Sequence, residues 1–356
     1  MKNKKLKLLG LTLAMGLAGS ASAQLAGKNV ILIHGFQSGD LSDPPASQQE
    51  VEQRGDAYWQ AFWASRAEAR IDWASNERVE GGIAQRAFNQ LKTISQSGLC
   101  SSGCVLVTHS TGDLVGRYVV DNQARWLSNA GYQPLNILTS LDFAGAGGGT
   151  ELADLAVNIA YSDTWYNWTL KQAVKLFTGI DPQPGKLGVV NDLQTTAARN
   201  LATSPNAVPR LRFVGGGSQN GGITKPFIKG SDDAVVPLHS ACGAATAGAF
   251  DSCSSSVALD GKRTSVSAPG SLYYNHYPIL MGADVNHGDA INTNTGNALT
   301  YANNNLSFNG INVDFDTYTF EKKPWWQFWG SGDTYQRVRD GEQYSVSGIV
   351  YQTLNH

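Results

Sequence analysis

The sequence predicts an α/β fold built on a mostly parallel, doubly wound sheet. Short apolar segments alternate with longer segments in which apolar residues recur at helical spacing, and this alternation is typical of parallel sheets flanked by helices. Residues 30–33 are continuously apolar, as expected for a strand buried on both faces. The chain has 356 residues, of which 42% are hydrophobic, so we expect one large domain with an appendage.

The elements predicted from these patterns follow each other along the chain. Strands are predicted at 30–33, 70–73, 105–108, 135–143 and 210–216. Helices are predicted at 56–69, from Ile83 to a stop at Gly98, and from Leu114 onward. Beyond residue 300 the alternation in NGINVDFDTYTF predicts strands, so residues 301–356 are expected to form a β-rich C-terminal extension.

The first 23 residues predict export. Four lysines, an apolar run over 8–18 and the small residues Ala21, Ser22 and Ala23 form the pattern of a signal peptide cleaved after Ala23. The apolar run is shorter than the ~20 residues that span a bilayer, so we expect a mature chain without a transmembrane segment. The formal net charge is −2 without a block of like charges, which argues against nucleic-acid binding.

The four cysteines fit an oxidising compartment and allow three pairings. Pairing Cys100 with Cys104 and Cys242 with Cys253 is favoured because each bond closes a short loop at low entropic cost. Zinc binding is the alternative. No histidine lies at ligand spacing from the first pair, so disulfides are the prediction.

Ser110 lies where the apolar strand in CVLVTHSTGDLVGRYVV runs directly into a helical pattern. A serine hydroxyl is a weak nucleophile, and it needs exposure at a strand end beside a base and amide donors. Gly112 supplies the space for a tight reversal, but Thr108 replaces the first glycine of G-x-S-x-G. A β-branched residue there is expected to cost about 1 to 3 kcal/mol unless neighbouring groups make room. By itself, this pattern fits a structural serine equally well.

A second motif, VILIHGF at 30–36, places His34 and Gly35 at the end of the first strand. The backbone N–H groups of Phe36 and Thr111 are then the expected donors to an oxyanion. With these motifs the chain resembles the α/β-hydrolases and, among them, the secreted bacterial lipases. In those enzymes a histidine precedes the nucleophile, and the triad follows in the order Ser, Asp, His.

The resemblance extends over most of residues 28–295. GGTELADLAV at 148–157 is similar to a lipase segment that follows the strand after the elbow helix, and LQTTAARNL at 193–201 is similar to a later lipase helix. It implies an α/β-hydrolase domain over 24–300 with a cap or lid at 150–200. The amphipathic segment 150–179 fits a lid that opens at a lipid surface as well as it fits a packed helical cap.

The acid and the base are chosen by the same resemblance. In GSDDAVVPL an acid followed by x-[VIL]-V is lipase-like, which favours Asp233 over Asp232; an Asx turn is the structural alternative. Asp142 remains a second candidate acid, because some lipases carry the acid after that earlier strand. His287 in ADVNHGDAI is the expected base, whereas His276 is expected to be a strand residue packed with aromatic side chains.

Two further features complete the expectations. The related lipases often bind a structural calcium ion, and Asp289 lies where one of its ligands would come. Residues 215–231 contain no carboxylate to supply a second ligand, so no cofactor is expected.

Trp325, Trp326, Phe328 and Trp329 are expected to fill a small C-terminal core rather than to form an exposed surface for lipid or polymer.

The resulting hypothesis is a secreted serine ester hydrolase that acts on acylglycerols or other apolar esters through Ser110, His287 and Asp233. Hydrolysis of short esters, polyesters or phospholipids on the same fold is one alternative. A secreted binding protein without turnover is the other.

Overall fold

A seven-stranded sheet forms the centre of the molecule in the computed structural model, which describes residues 24–162, 167–201, 208–248, 253–265 and 271–356. The predicted signal peptide, residues 1–23, lies outside the described residues. The strands are β1 (Asn29–Ile33), β2 (Ala69–Arg70), β3 (Cys104–His109), β4 (Ile137–Phe143), β5 (Arg210–Gly215), β6 (His276–Gly282) and β7 (Leu299–Tyr301). The helices are α1 (Gly39–Ser42), α2 (Gln48–Trp59), α3 (Ala84–Ser97), α4 (Gly112–Asn129), α5 (Glu151–Tyr161), α6 (Trp168–Thr178), α7 (Thr195–Leu201), α8 (Leu238–Ala241) and α9 (Val346–Leu354).

The strand order is β2-β1-β3-β4-β5-β6-β7, and every pair is parallel except β6 with β7. This order confirms the predicted mostly parallel, doubly wound class. In such sheets functional groups gather at the carboxyl ends of the strands, where the order of the strands reverses.

Both faces of the sheet are buried. In β1, Ile31 and Ile33 point into a core shared with α3 to α7, while Val30 and Leu32 point into a second core that contains Trp63 and α9. A strand covered on both faces has no polar side, which explains the continuous apolar run in the sequence.

The predicted helix at 56–69 is wrong in its boundaries. Helix α2 begins at Gln48, where the Ser47 hydroxyl accepts a hydrogen bond from the Glu50 N–H at 3.2 Å, and it ends at Trp59. The Ser-x-x-Glu spacing is a capping signal that a search for apolar periodicity alone overlooks. Beyond Trp59 the chain turns so that Trp63 enters the second core, and β2 has only two residues instead of the four expected at 70–73.

Other boundaries agree with the sequence. Helix α3 ends at Ser97, and the following Gly98 adopts a left-handed φ of 70°, as the predicted stop requires. Helix α7 coincides with the predicted helical segment at 193–201. Disulfides join Cys100 to Cys104 and Cys242 to Cys253, which confirms the short-loop pairing.

The region after residue 300 contains two hairpins and a helix. Strands β8 (Leu306–Phe308) and β9 (Ile311–Val313) form one hairpin, and β10 (Thr317–Lys322) and β11 (Asp333–Val338) form the other. Helix α9, which the sequence did not predict, packs into the second core through Val350 and Leu354. The Ser347 hydroxyl accepts a hydrogen bond from the Trp63 indole at 2.9 Å, which ties this helix to the main domain.

The expectation that Trp325, Trp326, Phe328 and Trp329 fill a core is wrong, since all four side chains are exposed. They occupy the connection between β10 and β11, beyond the last paired residues, where neither strand of this two-stranded sheet covers them. None of the described helices is both long and apolar enough to cross a membrane.

Candidate active site

Ser110 occupies the turn between β3 and α4 with a φ of 55°. A positive φ is strained for a residue other than glycine, and here the backbone is held on both sides. The Ser110 N–H donates to the Phe143 carbonyl at 3.1 Å, and the Ser110 carbonyl accepts from the N–H groups of Asp113 and Ala146. The turn therefore holds its side chain at the carboxyl edge of the sheet, as a nucleophile elbow does.

Two glycines permit the close approach of neighbouring chains at this turn. A side-chain carbon at Gly112 would overlap the carbonyl oxygen of Ile33, so the predicted need for glycine is confirmed. A side-chain carbon at Gly35 would lie 2.7 Å from the Cβ of Ser110. The loop after β1 therefore runs directly against the serine, and only a residue without a side chain fits there.

Asp233 and His287 are joined by two hydrogen bonds. The Oδ2 atom of Asp233 lies 2.8 Å from Nδ1 of His287, and the His287 N–H donates to the Asp233 carbonyl at 2.9 Å. The other carboxylate oxygen of Asp233 accepts from the N–H groups of Val235 and Val236. This arrangement fixes the imidazole orientation and leaves Nε2 as the ring nitrogen available to a substrate or a nucleophile.

Ser110 and His287 line the same cavity, which has a volume of about 170 Å³. Its apolar wall comes from the loop after β1, from helices α5 and α6 and from the loop that carries Asp233. The side chains of this wall are Phe36, Leu152, Leu176, Phe177, Ala234 and Val235. Polar groups reach the cavity from Ser38, Tyr58, Gln219, Asn220 and Thr224.

The two expected oxyanion donors belong to the two loops that meet at the serine. Phe36 lines the cavity directly after Gly35, and Thr111 follows Ser110 at the start of α4. Among the described residues, neither backbone N–H has a hydrogen-bond acceptor. Two backbone amides without an acceptor beside a serine are suited to binding an anionic oxygen.

Three features indicate one architecture. They are the sheet topology, the strained turn at Ser110, and the order Ser110, Asp233, His287 of the residues in loops at one edge of the sheet. The chain has the α/β-hydrolase fold. Helices α5 and α6 line its cavity through Leu152, Leu176 and Phe177.

No family model and no curated protein matches the chain. Solved structures that resemble it include the mature lipase BlEst2 of Bacillus licheniformis, with 16% identity, a TM-score of 0.40 and an alignment that covers 62% of this chain and 80% of the lipase. The metagenomic carboxyl esterase MGS0156 has 16% identity and a TM-score of 0.32, with 57% of this chain and 54% of the esterase aligned. Phospholipase PlaB of Legionella pneumophila has 16% identity and a TM-score of 0.34, with 60% and 45% aligned. These values are low, so the fold assignment depends on the topology and the serine turn.

The alternative acid, Asp142, belongs to a separate buried cluster. Thr108, Asp142 and Arg212 are cross-strand neighbours on β3, β4 and β5, and Asp142 contacts Arg210 and Arg212 at 2.8 to 3.0 Å. Its Oδ1 also accepts hydrogen bonds from the hydroxyls of Thr108 and Ser140, both at 2.7 Å. Among the described residues, no histidine is hydrogen-bonded to Asp142.

Asp113, at the start of α4, completes this cluster. Its carboxylate contacts Arg210 at 2.9 Å and Arg212 at 2.7 Å, and all three side chains are buried. Burial alone would raise the pKa of the Asp113 carboxyl, but Arg212 and Arg210 together hold it well below its ordinary value. No sequence pattern predicts this cluster, because the charged residues at 113, 142, 210 and 212 are distant in the chain.

Tyr58 is a site residue that the sequence analysis missed. Its hydroxyl lies 2.5 Å from Nδ1 of His109, and Nε2 of His109 lies 3.0 Å from the His287 carbonyl oxygen. Burial and the neighbouring His287 hold the pKa of His109 well below 6.5, so its ring is neutral. A neutral ring accepts from Tyr58 at Nδ1 and donates to the carbonyl at Nε2. These two hydrogen bonds connect α2 to the backbone of His287.

The remaining acidic candidates are held by amide groups. The side-chain amides of Asn286, Asn292 and Asn294 donate to the Asp289 carboxylate at 2.5 to 3.1 Å. In the part of the chain that the structure describes, no group of three or more His, Cys, Asp or Glu side chains is placed to hold a metal ion.

Asp232 accepts from the Ala234 N–H at 2.7 Å, and its burial raises its pKa to about 6. His276 lies at the start of β6 with its ring 5.2 Å from that of Tyr273, as predicted.

Proposed function

We propose that this protein is a serine ester hydrolase in which Ser110 is the nucleophile, His287 the general base and Asp233 the acid that orients the base. The observation that best supports this proposal is the 2.8 Å contact between Asp233 and Nδ1 of His287, combined with the position of His287 and Ser110 in one cavity. A histidine held at Nδ1 by a carboxylate presents Nε2 to accept a proton, as the proposed mechanism requires.

Catalysis takes place in two steps. Ser110 attacks the ester carbonyl while His287 takes the hydroxyl proton and then gives it to the leaving alcohol. A water molecule, activated by the same imidazole, then releases the acyl group from the serine. The N–H groups of Phe36 and Thr111 stabilise the oxyanion in both tetrahedral intermediates.

The cavity supports a substrate with a short apolar acyl group. Its volume of about 170 Å³ is small, since ligand pockets usually measure ~300 to 1,000 Å³. Leu176 and Phe177 on α6 close one side, so longer acyl chains require this helix to move. Acylglycerols, phospholipids and polyesters with long apolar segments then react only if the cap opens.

The decisive experiment is labelling by a fluorophosphonate probe. We expect the wild type to be labelled, Ser110→Ala to lose the label, and Ser38→Ala, the control at a second serine of the cavity, to keep it. If the folded wild type is not labelled, the chain is a binding protein rather than an enzyme.

Substrate class is tested with p-nitrophenyl esters of increasing acyl length, with and without an emulsified interface. We expect the highest kcat/KM for short esters in solution, and a gain for long esters when an interface is present. Activity on long esters that does not depend on an interface would contradict the assigned role of the cap.

Export is proposed with the same function. The two disulfides support an oxidising compartment, in which such bonds persist. The protein recovered outside the cytoplasm should begin at Gln24 when its N-terminus is sequenced. Recovery of a chain that retains residues 1–23 would contradict the proposed cleavage.

A further inference from the structure

The connection between β10 and β11, residues 323–332, is here called the aromatic loop. Its Trp325, Trp326, Phe328 and Trp329 side chains are 88%, 60%, 80% and 82% exposed. Nine large hydrophobic side chains are exposed among the described residues, and four of them lie in this loop. Scattered exposed hydrophobic residues are normal, but a contiguous apolar patch indicates a surface that binds a partner.

The hairpin gives this loop a fixed base. All six residues of β10 pair with β11, and the Phe320 and Tyr335 rings stack at 5.0 Å between centroids. Lys262 contacts Asp333 at 2.9 Å, where the loop rejoins the body of the protein. Within the loop, the Gln327 N–H donates to the Pro324 carbonyl at 2.9 Å and its side-chain amide donates to the Ser331 carbonyl. The loop is therefore an ordered turn that displays its aromatic side chains away from the sheet.

The charges of the loop indicate the chemistry of the partner. Lys322 and Lys323 lie directly beside the aromatic residues, and the acidic residues that flank the loop, Glu321 and Asp333, lie at its base, where Asp333 is paired with Lys262. Tryptophan rings are amphipathic and prefer the boundary between water and lipid, while lysine side chains interact with anionic headgroups. Lys323 Nζ lies 3.6 Å from Glu321 at the base of the loop, but both side chains are about half exposed, so this pair is weak and leaves both lysines accessible to an anionic headgroup.

We propose that the aromatic loop inserts into the headgroup region of an anionic phospholipid surface and anchors the protein there. The rings occupy the boundary between acyl chains and headgroups, and Lys322 and Lys323 contact phosphate groups. This anchoring depends on the loop alone and does not depend on the proposed chemistry at Ser110.

The test is co-sedimentation of the chain that begins at Gln24 with vesicles of phosphatidylcholine, with or without phosphatidylglycerol. The variant without residues 1–23 is used because the apolar run at 8–18 would bind lipid by itself. We expect wild type to bind the anionic vesicles, and Trp325→Ser/Trp326→Ser/Phe328→Ser/Trp329→Ser to bind them at least tenfold more weakly, since membrane affinity scales with the apolar area buried.

Two further variants separate the contributions. Lys322→Gln/Lys323→Gln should lose about fivefold per lysine on anionic vesicles only, because each lysine near such a surface contributes ~1 kcal/mol. Tyr274→Ser removes an aromatic side chain that is also exposed, at 68%, but lies outside the loop, and it should bind as the wild type does. All variants should have the circular dichroism spectrum and the melting temperature of the wild type, which shows that they are folded whether or not the protein hydrolyses esters.

Three outcomes would overturn the proposal. The first is a wild type that does not bind anionic vesicles, whether or not it binds a polymer film. The second is a fourfold loop variant that binds vesicles as tightly as the wild type. The third is a loop-dependent dimer, seen by light scattering, that binds no vesicles; in that case the loop covers a second copy of the chain.

Discussion

Thr108 on β3 lies directly opposite Gly116 on α4. The Cγ2 atom of Thr108 is 3.2 Å from the position that a Cβ at residue 116 would take. The departure from G-x-S-x-G at position 108 is therefore matched by a glycine on the crossing helix, which supplies the space that the strand no longer leaves. The Thr108 hydroxyl also donates to Asp142 at 2.7 Å, so the threonine supports the buried charge cluster.

Gly116→Ala should reveal this pairing. Alanine favours a helix over glycine by up to ~1 kcal/mol, but overpacking in a core costs about 1 to 3 kcal/mol. We expect the substitution to cost about 1 kcal/mol more with Thr108 present than in a Thr108→Ser background, which lacks only the methyl group. Urea unfolding of the four proteins gives the coupling energy. Additive effects would show that the two residues do not compete for space.

Asp233→Asn should lower turnover, whereas Asp142→Asn should lower stability. Loss of the Asp233 charge is expected to lower kcat about 10⁴-fold with little change in stability, because the imidazole loses its orientation. Loss of the Asp142 charge should instead lower the free energy of unfolding by about 3 to 5 kcal/mol, since it leaves Arg210 and Arg212 underpaired in the core.

Turnover for this pair is normalised to the concentration of folded protein, measured by circular dichroism, and stability is measured by thermal unfolding. A stable but inactive Asp142→Asn variant, together with an active Asp233→Asn variant, would reverse the assignment.

Tyr58→Phe should lower turnover without removing the nucleophile. The variant leaves Nδ1 of the buried His109 unpaired, which costs about 1 to 3 kcal/mol, and it loosens the link to the His287 backbone. We expect a lower kcat, a nearly unchanged KM and a lower melting temperature. Tyr318→Phe on β10 is the matched control and should change none of these. Wild-type kcat in Tyr58→Phe would show that the contact does not position the base.

His34 makes stability depend on pH. Burial lowers the pKa of His34 to about 4, so between pH 6.5 and 4 the unfolded chain binds a proton that the folded chain does not. This residue therefore reduces stability as the pH falls, by about 1.4 kcal/mol per pH unit over that window. Denaturant unfolding at pH 7.5 gives the loss of unfolding free energy that His34→Gln causes. This loss should become smaller as the pH falls from 6.5 toward 4. A cost that is the same at every pH would contradict the burial of a neutral ring.

Local patterns were sufficient for the elements at the site. The apolar runs of β1 and β3, the stop at Gly98 and the close approach at Gly112 all follow from one stretch of chain at a time. The same holds for the two disulfides, whose partners lie 4 and 11 residues apart. The start of α2 was also readable from Ser47 and Glu50, although apolar periodicity alone placed that helix too late.

The sequence by itself determined the α/β class and the strand that carries Ser110, because each depends on side-chain type and spacing within a short segment. The candidates for acid and base came from the resemblance of short motifs to the secreted bacterial lipases. The tertiary structure decided which candidates meet. Only there does Asp233 contact His287 while Asp142 contacts Arg210 and Arg212. It also decided that Trp325 is exposed and not buried. The physical reason is that contacts across the sheet, and the presence or absence of a packing partner, join residues far apart in the chain and leave no periodic trace in the sequence.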